Sequence, residues 1–399
     1  MASRALRLSL LGLVLSCGQR EEVSRAEEAV LDDSSAEVGA EQPVTDTVPE
    51  SSDGSSGFPA VDPAPPADAP PASDEGDAGT GNPEPPADIP ENGTDNVPFA
   101  SLRFVALGDA GKGNEGQYLV ADAIAEVCEQ RGGCEFALML GDNVYDSGVT
   151  SVDDARWQER FELPYADLDF PFYVTLGNHD LGGGGAGTDP KRGDYQVDYS
   201  AYSAKFRMPG TYYRHNETLV ELVSLNTTSL FYDDAPWLAL LYGYGDENEA
   251  QAQSLDEWNG SPAAPWRIAF GHHPYLSNGP HGNAGNYDGV FPGMPASGTG
   301  LKEFFDERVL GKFDAYLCGH DHSLQDMGTV NGTELLVSGG GASHTDLEGE
   351  NVALWQADRR GFLLVEVTDI QMGFTFFVVP DDGDPQTGWY QAHTRTIER

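Results

Sequence analysis

The segment LRFVALGD, residues 102–109, joins an apolar run to a glycine and a carboxylate. An apolar run of this length that is stopped by glycine predicts a buried strand over 102–107. Two later segments repeat the pattern: FALMLGDN at 136–143 and FYVTLGNHD at 172–180. Helical spacing over 115–130 separates the first two strands, and a helix is expected around 152–161 before the third. This alternation predicts parallel strands joined by right-handed crossovers.

The alternation continues beyond residue 200. Apolar runs and helical spacing predict strands at 219–225, 266–271, 313–318, 333–338 and 361–368, and helices at 248–258 and 299–309. Two of these strands end in glycine followed by histidine, in GHHP at 271–274 and GHDH at 319–322. In an open α/β sheet, the loops at the carboxyl ends of the strands converge on one crevice. The sequence therefore directs the polar side chains of five loops toward one point.

These five loops have the composition of a metal site. They hold five of the nine histidines of the chain. Carboxylate, amide, phenol and imidazole groups together suit a pair of cations such as Fe(III) with Fe(II), Zn(II) or Mn(II). One carboxylate can bridge two cations about 3.5–4 Å apart, and such a pair can bind both the attacking and the departing oxygen of a phosphoryl transfer. The pattern therefore indicates metal-assisted phosphoester hydrolysis.

In order and content, the five loops resemble those of the calcineurin-like metallophosphoesterases. Tyr145, three residues after Asp142, points to the purple acid phosphatase branch, and CGHDH at 318–322 resembles its small, tartrate-resistant type. Most other branches carry a histidine two residues after the first aspartate, where this chain has Gly111. The resemblance covers about residues 102–370. It implies an α/β (α+β) fold, a four-layer αββα sandwich of two mixed sheets flanked by helices, with a dinuclear metal site at the carboxyl-terminal loops of the strands.

Carried over residue by residue, the resemblance implies an Fe(III) site beside a divalent site that holds Fe, Zn or Mn. The ligands of Fe(III) would be Asp109, Asp142, Tyr145 and His322, and those of the divalent metal would be Asp142 as the bridge, Asn178, His272 and His320. His179 would contact the substrate phosphate and protonate the leaving alkoxide, which is a common task of a general acid.

Several neighbouring residues have two interpretations. Asp180 either orients the histidine before it or is a solvated loop acid. His281 either faces the substrate or leaves that place to Asn278. His273 either supports the ligand beside it or faces the substrate. Residues 111–113, Gly-Lys-Gly, are no nucleotide-binding loop, because the rest of that motif is missing.

Charge and composition divide the chain into three parts. Residues 1–17 carry Arg4 and Arg7, a short apolar run and Cys17, as a secretory signal does, and VLSC at 14–17 resembles the lipobox of bacterial lipoproteins. Residues 18–98 hold 20 Asp and Glu against two Arg and are rich in Pro, Gly and Ser, which predicts a disordered tether. Residues 99–399, with 45 acidic and 18 basic side chains, form the predicted metallophosphoesterase domain.

The net charge of −43 excludes a broad basic surface for nucleic acid or anionic lipid. No apolar run reaches the roughly 20 residues of a membrane-spanning helix. We expect a monomer that acts on small phosphate esters and touches a membrane only through a lipid on Cys17. It would be exported, as a cell-surface, periplasmic or outer-membrane lipoprotein or as a secreted protein. Export would permit a disulfide between Cys128 and Cys134.

The expected function is that of an exported acid phosphatase. It would hydrolyse phosphate monoesters by in-line attack of a metal-bound hydroxide, with His179 as the general acid. One alternative is a phosphodiesterase or nucleotide pyrophosphatase that uses the same site. Another is an inactive surface-binding module on a hydrolase scaffold, and the complete set of ligand residues argues against it.

Overall fold

The computed structural model describes residues 101–287, 297–381 and 388–399. The predicted signal over 1–17 and the predicted tether over 18–98 lie outside these residues and stay predictions. The strands are β1 (Leu102–Leu107), β2 (Phe136–Leu140), β3 (Phe172–Thr175), β4 (Phe206–Arg207), β5 (Tyr213–Asn216), β6 (Val220–Ser224), β7 (Trp266–Phe270), β8 (Gly282–Asn283), β9 (Asn286–Tyr287), β10 (Ala315–Cys318), β11 (Leu324–Val330), β12 (Thr333–Ser338), β13 (Trp355–Ala357), β14 (Arg360–Val367), β15 (Gln371–Val379) and β16 (Tyr390–Glu398). The helices are α1 (Glu115–Gln130), α2 (Lys191–Tyr199), α3 (Thr227–Phe231), α4 (Pro236–Tyr242), α5 (Gly245–Gly260) and α6 (Thr299–Arg308).

Two seven-stranded mixed sheets carry the fold. The first has the order β16-β15-β14-β1-β2-β3-β4, in which β1 to β4 run parallel while β14, β15 and β16 are joined by antiparallel pairing. The second has the order β13-β11-β12-β10-β7-β6-β5, with a parallel centre from β12 to β6 and antiparallel strands at both edges. Strands β8 and β9 form a separate short hairpin.

The two sheets pack against each other, and helices lie on them. The side chain of Ser338 in β12 donates a hydrogen bond to the carbonyl of Ala106 in β1 at 2.9 Å, across the interface between the sheets. All residues of β2, β6, β7, β10 and β12 are buried, as expected for strands covered on both faces. Helix α1 packs on β14 and β15, and α3 and α5 pack on α6. The predicted α/β class, with two mixed sheets flanked by helices, is confirmed.

One predicted helix begins later than expected. A helix was expected around 152–161, but helical structure begins only at 156 and continues as a short π-helix at Gln158–Glu162. The carboxylate of Asp154 accepts hydrogen bonds from the backbone and side chain of both Thr150 and Arg156. An aspartate bonded in this way favours a turn or a cap over a helix interior, so the helical turns begin only after it.

The described residues contain a disulfide bond, as an oxidising compartment permits. Cys128, near the end of α1, is disulfide-bonded to Cys134, just before β2, and the bond spans the turn at Gly132 and Gly133. Cys318 is buried in β10. Among the helices of the described residues, none combines the length and the apolar character needed to cross a membrane.

Candidate metal centre

Five loops bring the predicted ligands together where the two sheets meet. Those that follow β1, β2 and β3 belong to the first sheet, and those that follow β7 and β10 belong to the second. Parallel strands end at one edge of their sheet, so their loops share one side of the molecule. The structure brings all seven predicted ligands into one cluster, which we call the cage: Asp109, Asp142, Tyr145, Asn178, His272, His320 and His322.

One half of the cage is built around Tyr145. Its phenolic oxygen lies 3.1 Å from Oδ1 of Asp109 and 3.0 Å from Nε2 of His322. The other oxygen of Asp109 accepts a hydrogen bond from the backbone N–H of His320 at 2.8 Å. Asp109 is fully buried, so its Oδ1 is held facing the phenol and the imidazole. These three groups are the ones predicted for the Fe(III) site, together with the bridge.

The other half is built around His272. Its Nδ1 lies 2.9 Å from the carbonyl of Leu140, and because a carbonyl only accepts, this nitrogen carries the proton. In the neutral imidazole, Nε2 then presents a lone pair. That lone pair faces Oδ1 of Asn178 at 2.8 Å, while Nδ2 of Asn178 donates to Gly185. Nδ1 of His320 lies 3.1 Å from the same Nε2.

Asp142 connects the two halves. Its Oδ1 lies 3.5 Å from Nε2 of His272 and accepts the backbone N–H of His179 at 2.9 Å. Ligand atoms of Asp109, Asp142 and His272 all lie within 4.8 Å of one another. Gly177 packs against Asp142 so closely that a Cβ there would overlap the carboxylate. Asp142 therefore lies between the two halves of the cage.

The donor set fits a pair of cations. When His272 is neutral, its Nε2 and the amide oxygen of Asn178 are two acceptors at hydrogen-bond distance, and a shared cation relieves the contact of their lone pairs. In the half around Tyr145, a phenol is buried beside a carboxylate. The residues present are oxygen and imidazole donors, as borderline metals require.

The acid–base properties of the cage follow from burial and from its crowded charges. Burial, reinforced by Asp109 and Asp142, raises the pKa of the Tyr145 phenol well above its ordinary value. Burial also opposes the charged form of His272, but the neighbouring aspartates outweigh it and its pKa lies above the ordinary value. The pKa of His320 lies well below its usual range because of burial and the adjacent imidazoles. A phenolate at Tyr145 therefore needs a compensating positive charge.

His179 lies beside the cage and not in it. Its Nδ1 lies 2.7 Å from the carbonyl of Asp146, so this nitrogen donates and Nε2 is left for another partner. The ring packs on Tyr145 with centroids 4.5 Å apart. Nε2 lies near the backbone of Gly185, where a Cβ would meet it at 2.7 Å. A histidine in this position can exchange a proton with a group bound over the cage.

Asp180 has a different task from the one predicted. The expectation that it orients the imidazole of His179 is corrected, because the carbonyl of Asp146 holds that ring. The fully buried carboxylate of Asp180 accepts the backbone N–H groups of Asn143, Val144 and Gly177, and the side-chain amides of Asn143 and Gln196. Burial and Asp142 raise its pKa to about 6. Asp180 thus fastens the loop after β2 to the loop after β3.

Of the two candidates for a second substrate-facing position, His281 lies at the site. Its exposed ring lies 4.3 Å from that of His320, centroid to centroid, and its backbone N–H donates to Asp321 at 3.0 Å. Asn278 is instead buried and bonds to Asn351 and to the side chain of Gln356. His281 therefore has the access to solvent that contact with a substrate requires.

His273 supports the cage from behind. Its Nδ1 lies 2.9 Å from the hydroxyl of Thr227, and that hydroxyl also accepts the backbone N–H groups of His272 and His273. The ring stacks on Phe231 with centroids 5.6 Å apart. Burial lowers the pKa of His273 well below its usual range, which keeps the imidazole neutral. Of the two interpretations of His273, the structure favours the supporting one.

The sequence did not single out several residues that contact the cage. Lys112 and Ser343 lie on its Tyr145 side, and Thr227 lies under its histidines. A signal for Ser343 was available, since GGGAS at 339–343 directly follows β12, a further parallel strand of the second sheet. The loops after all parallel strands of one sheet lie at the same edge, so this one belonged with the other five.

Comparison with known proteins supports the resemblance of the motifs. The family model for calcineurin-like phosphoesterases matches residues 102–324. Tartrate-resistant acid phosphatase type 5 of Rattus norvegicus is 30% identical over 267 residues, which cover 61% of this chain and 74% of that protein. Purple acid phosphatase 4 of Arabidopsis thaliana is 27% identical over 312 residues, covering 71% and 81% respectively.

Solved structures show the same fold. A purple acid phosphatase from yellow lupin (Lupinus luteus) seeds superposes with a TM-score of 0.53 at 18% identity, covering 75% of this chain and 54% of that chain. GAP50, the anchor in the inner membrane complex of Plasmodium, superposes with a TM-score of 0.56 at 20% identity, covering 75% and 89%. At such identities, the likeness concerns the fold alone.

Proposed function

The chain belongs to the calcineurin-like phosphoesterase family, on its purple acid phosphatase branch, and from that premise we propose that it hydrolyses phosphate monoesters at a dinuclear metal centre. Its relatives are acid phosphatases, and all seven residues that the motifs predict as ligands lie in one cage.

One observation carries the proposal. The lone pair on Nε2 of His272 faces the amide oxygen of Asn178 at 2.8 Å and a second imidazole nitrogen, from His320, at 3.1 Å. In the neutral imidazole of His272, the proton is on the other nitrogen, bonded to Leu140, and the amide group of Asn178 is bonded elsewhere. Nε2 of His272 and the amide oxygen of Asn178 are then two acceptors in contact, and a cation shared by them would relieve that contact.

The proposed metal sites share one carboxylate. The first would hold Fe(III), and the second would hold Fe(II), Zn(II) or Mn(II), with Asp142 common to both. When bound, such a pair would neutralise phosphate charge and lower the pKa of coordinated water. The first site would use Asp109, Asp142, Tyr145 and His322, and the second Asp142, Asn178, His272 and His320.

The leaving group needs a proton, and His179 is proposed to give it. Because Nδ1 donates to the carbonyl of Asp146, the orientation of the ring is fixed and Nε2 is the nitrogen that can pass a proton to the departing oxygen. The contact with Tyr145 keeps the ring over the cage. A positioned general acid of this kind contributes typically 10²–10⁴-fold to the rate.

His281 is proposed to contact the phosphate from the opposite side. Its ring is exposed beside His320, and its backbone is anchored on Asp321. A protonated or hydrogen-bonding imidazole at this place would help to orient the ester, so that its leaving oxygen points toward His179. Positioning of this kind accounts for a large part of catalysis in phosphoryl transfer.

The proposal is tested with metal-loaded full-length protein. We expect two metal ions per chain by elemental analysis and a visible charge-transfer band from Tyr145 on Fe(III). The variant Tyr145→Phe should lose the band, and Asp142→Asn should lose both metals and turnover. The matched control is Asp358→Asn, because Asp358 is exposed and paired with Arg359. A colourless, fully active wild type contradicts the Fe(III) assignment.

The substrate class has its own measurement. We expect p-nitrophenyl phosphate to be hydrolysed with a higher kcat/KM than bis(p-nitrophenyl) phosphate. The reverse order would favour a phosphodiesterase at the same site. Absence of turnover with either ester, together with absence of bound metal, would favour a surface-binding module.

We propose that the protein is exported. The disulfide between Cys128 and Cys134 is of the kind that persists in oxidising compartments, and residues 1–17 have the composition of a signal. If Cys17 carries a lipid, the mature protein should partition into detergent and Cys17→Ser should not. Recovery of uncleaved wild type from the cytoplasm would contradict export.

A further inference from the structure

Lys112 occupies an unusual place beside the cage. It follows Asp109 by three residues, and its ammonium nitrogen lies 4.8 Å from the centroid of the Tyr145 ring, over its face. The same nitrogen donates to the hydroxyl of Ser343 at 2.7 Å. A lysine over an aromatic face is attracted by the electrons of the ring. Here, that ring belongs to a proposed metal ligand.

Through Ser343, Lys112 is also connected to a second proposed ligand, His322. The hydroxyl oxygen of Ser343 lies 3.1 Å from Nδ1 of His322, and Nε2 of His322 lies 3.0 Å from the phenolic oxygen of Tyr145. A hydroxyl oxygen has two lone pairs and can accept from both Lys112 and Nδ1–H of His322. His322 is then held as the tautomer whose Nε2 lone pair faces into the cage, which is the form that binds a metal.

The glycines on either side explain how the lysine reaches this place. Gly111 lies against the backbone of Asn143, where a Cβ would overlap the Asn143 carbonyl. Gly113 has φ of 63°, in the left-handed region that favours glycine. The Gly-Lys-Gly segment, which does not fit a nucleotide loop, therefore turns the chain tightly and sets Lys112 over the site.

Lys112 lies near three carboxylates. Burial lowers its pKa, and the charges of Asp109, Asp142 and Asp146 offset this effect only in part. An ammonium group over the ring attracts a phenolate more strongly than a neutral phenol, because charge attraction is added to the cation–π contact. The electrons of a phenolate at Tyr145 are therefore held at lower energy with Lys112 present than without it.

We propose that Lys112 is a positioning residue that sets the electronic character of the bond between Tyr145 and its metal, through the face of the ring and through Ser343 and His322. The inference rests on the proposed function, because it takes Tyr145 as a ligand. It assigns to this chain a means of tuning its metal centre that lies outside the ligand set.

The experiment compares the visible spectrum and the reduction potential of three metal-loaded full-length variants with those of the wild type. Lys112→Met keeps the length and removes the charge, and Lys112→Arg keeps the charge. Lys191→Met is the matched control, since Lys191 is exposed at the start of α2 and lies 5.5 Å from the centroid of the ring of Tyr195, which is not a proposed ligand. Metal content and folding are measured for each, with Lys112→Gln as the substitute should Lys112→Met fold poorly.

In Lys112→Met, we expect the charge-transfer band at longer wavelength, because the phenolate electrons are less stabilised. The midpoint potential should be lower, because a positive charge that favours the reduced metal is gone. In Lys112→Arg and Lys191→Met, the wavelength of the band and the midpoint potential should stay close to those of the wild type. An unchanged band and potential in fully loaded Lys112→Met, or equal shifts in Lys191→Met, overturns the inference. A colourless loaded wild type contradicts the Tyr145 assignment itself, so the two failures are distinguishable.

Discussion

Three of the proposed ligands hold a backbone conformation that residues with a Cβ seldom adopt. The φ angles are 59° at Asp109, 55° at Asp142 and 71° at His320. Conformations of this kind cost of order 1–3 kcal/mol each and persist only where the surroundings hold them in place. Gly177 and Gly319 contribute by leaving room, since a Cβ at either would overlap a ligand carboxylate. Backbone strain is therefore concentrated at the residues that would bind metal.

The sequence predicted that the residues of the cage would converge, because each lies in a loop that follows a strand with a clear apolar pattern. It did not predict Lys112 and Ser343 as neighbours of the cage, because these two are 231 residues apart and meet only through the folding of both sheets. Local patterns carry no information about such pairs. Asp180 was misassigned for a related reason, since its partners Asn143 and Gln196 come from other loops and helices.

The task of His179 leads to a test with two substrates. In His179→Gln, kcat for an alkyl phosphate should fall by about 10²–10⁴-fold, because an alkoxide leaves poorly without a proton. The loss should be smaller for p-nitrophenyl phosphate, whose phenolate leaves readily unprotonated. Steady-state rates with both esters check the prediction.

Metal content should be unchanged in His179→Gln, because His179 lies outside the cage. The control is His215→Gln, since His215 lies in the edge strand β5 and pairs with Glu217. Equal losses with both esters would count against His179 as the general acid.

Among the elements, strands with continuous apolar runs were the most predictable. The strands that end at the ligand loops lie within a residue or two of their predicted bounds, and so does α1. The helix expected around 152–161 begins only at 156, because Asp154 and its hydrogen bonds to Thr150 and Arg156 compete with the helical pattern before it. Strand β16 was not predicted, because polar residues along it obscure the apolar alternation.

An ion cluster joins β16 to the other sheet. The fully buried carboxylate of Asp326 in β11 accepts two hydrogen bonds from Arg395, at 2.7 and 2.9 Å, and lies 2.9 Å from Nε2 of His393. Arg395 also pairs with Glu334 in β12 at 2.8 Å. Burial alone would raise the pKa of Asp326, but these partners hold it below its ordinary value. The cluster thus fastens the outer strand of the first sheet to the second.

Loss of this carboxylate should destabilise the protein. In Asp326→Asn, the free energy of unfolding should fall by about 1.5–3 kcal/mol, because Arg395 and His393 lose a buried carboxylate partner while Glu334 still pairs with Arg395. Chemical denaturation at neutral pH measures the change. The exposed pair of Asp358 and Arg359 is the control, and Asp358→Asn should change stability by less than about 0.5 kcal/mol.

The contact between Asp326 and Arg395 also predicts a pH dependence of stability. A carboxylate whose folded pKa is depressed stabilises the fold above its unfolded pKa of about 3.9, and the contribution is lost as pH falls toward the folded value. The difference in stability between wild type and Asp326→Asn should therefore be full at neutral pH and narrow below about pH 4. A difference that stays constant down to pH 3 would show that packing, and not charge, is responsible.

At the scale of the whole molecule, the net negative charge of the catalytic region repels the proposed substrate, which is also negatively charged. Residues 99–399 hold 45 acidic and 18 basic side chains, whereas a phosphate monoester is a dianion near neutral pH. Charges on the surface act over a Debye length of about 10 Å at 0.1 M salt and further in dilute buffer. Repulsion therefore slows the encounter most at low ionic strength.

We expect kcat/KM for a phosphate monoester dianion to rise with KCl between about 10 and 150 mM, while kcat changes little. A zwitterionic ester such as choline phosphate should respond less, because its net charge is smaller. A fall in kcat/KM with salt for the dianion would mean that a local positive field dominates the approach.

The division of the ligand loops between two sheets has a further consequence. Asp142 follows β2 of the first sheet and His272 follows β7 of the second, so a cation held by both would cross-link sheets that share no strand pairing in the described residues. A ligand that binds only the folded form stabilises every element that must stay closed around it. Amide hydrogen exchange in β2 and β10 should therefore slow together when metal binds and accelerate together on chelation, with a smaller response in β16.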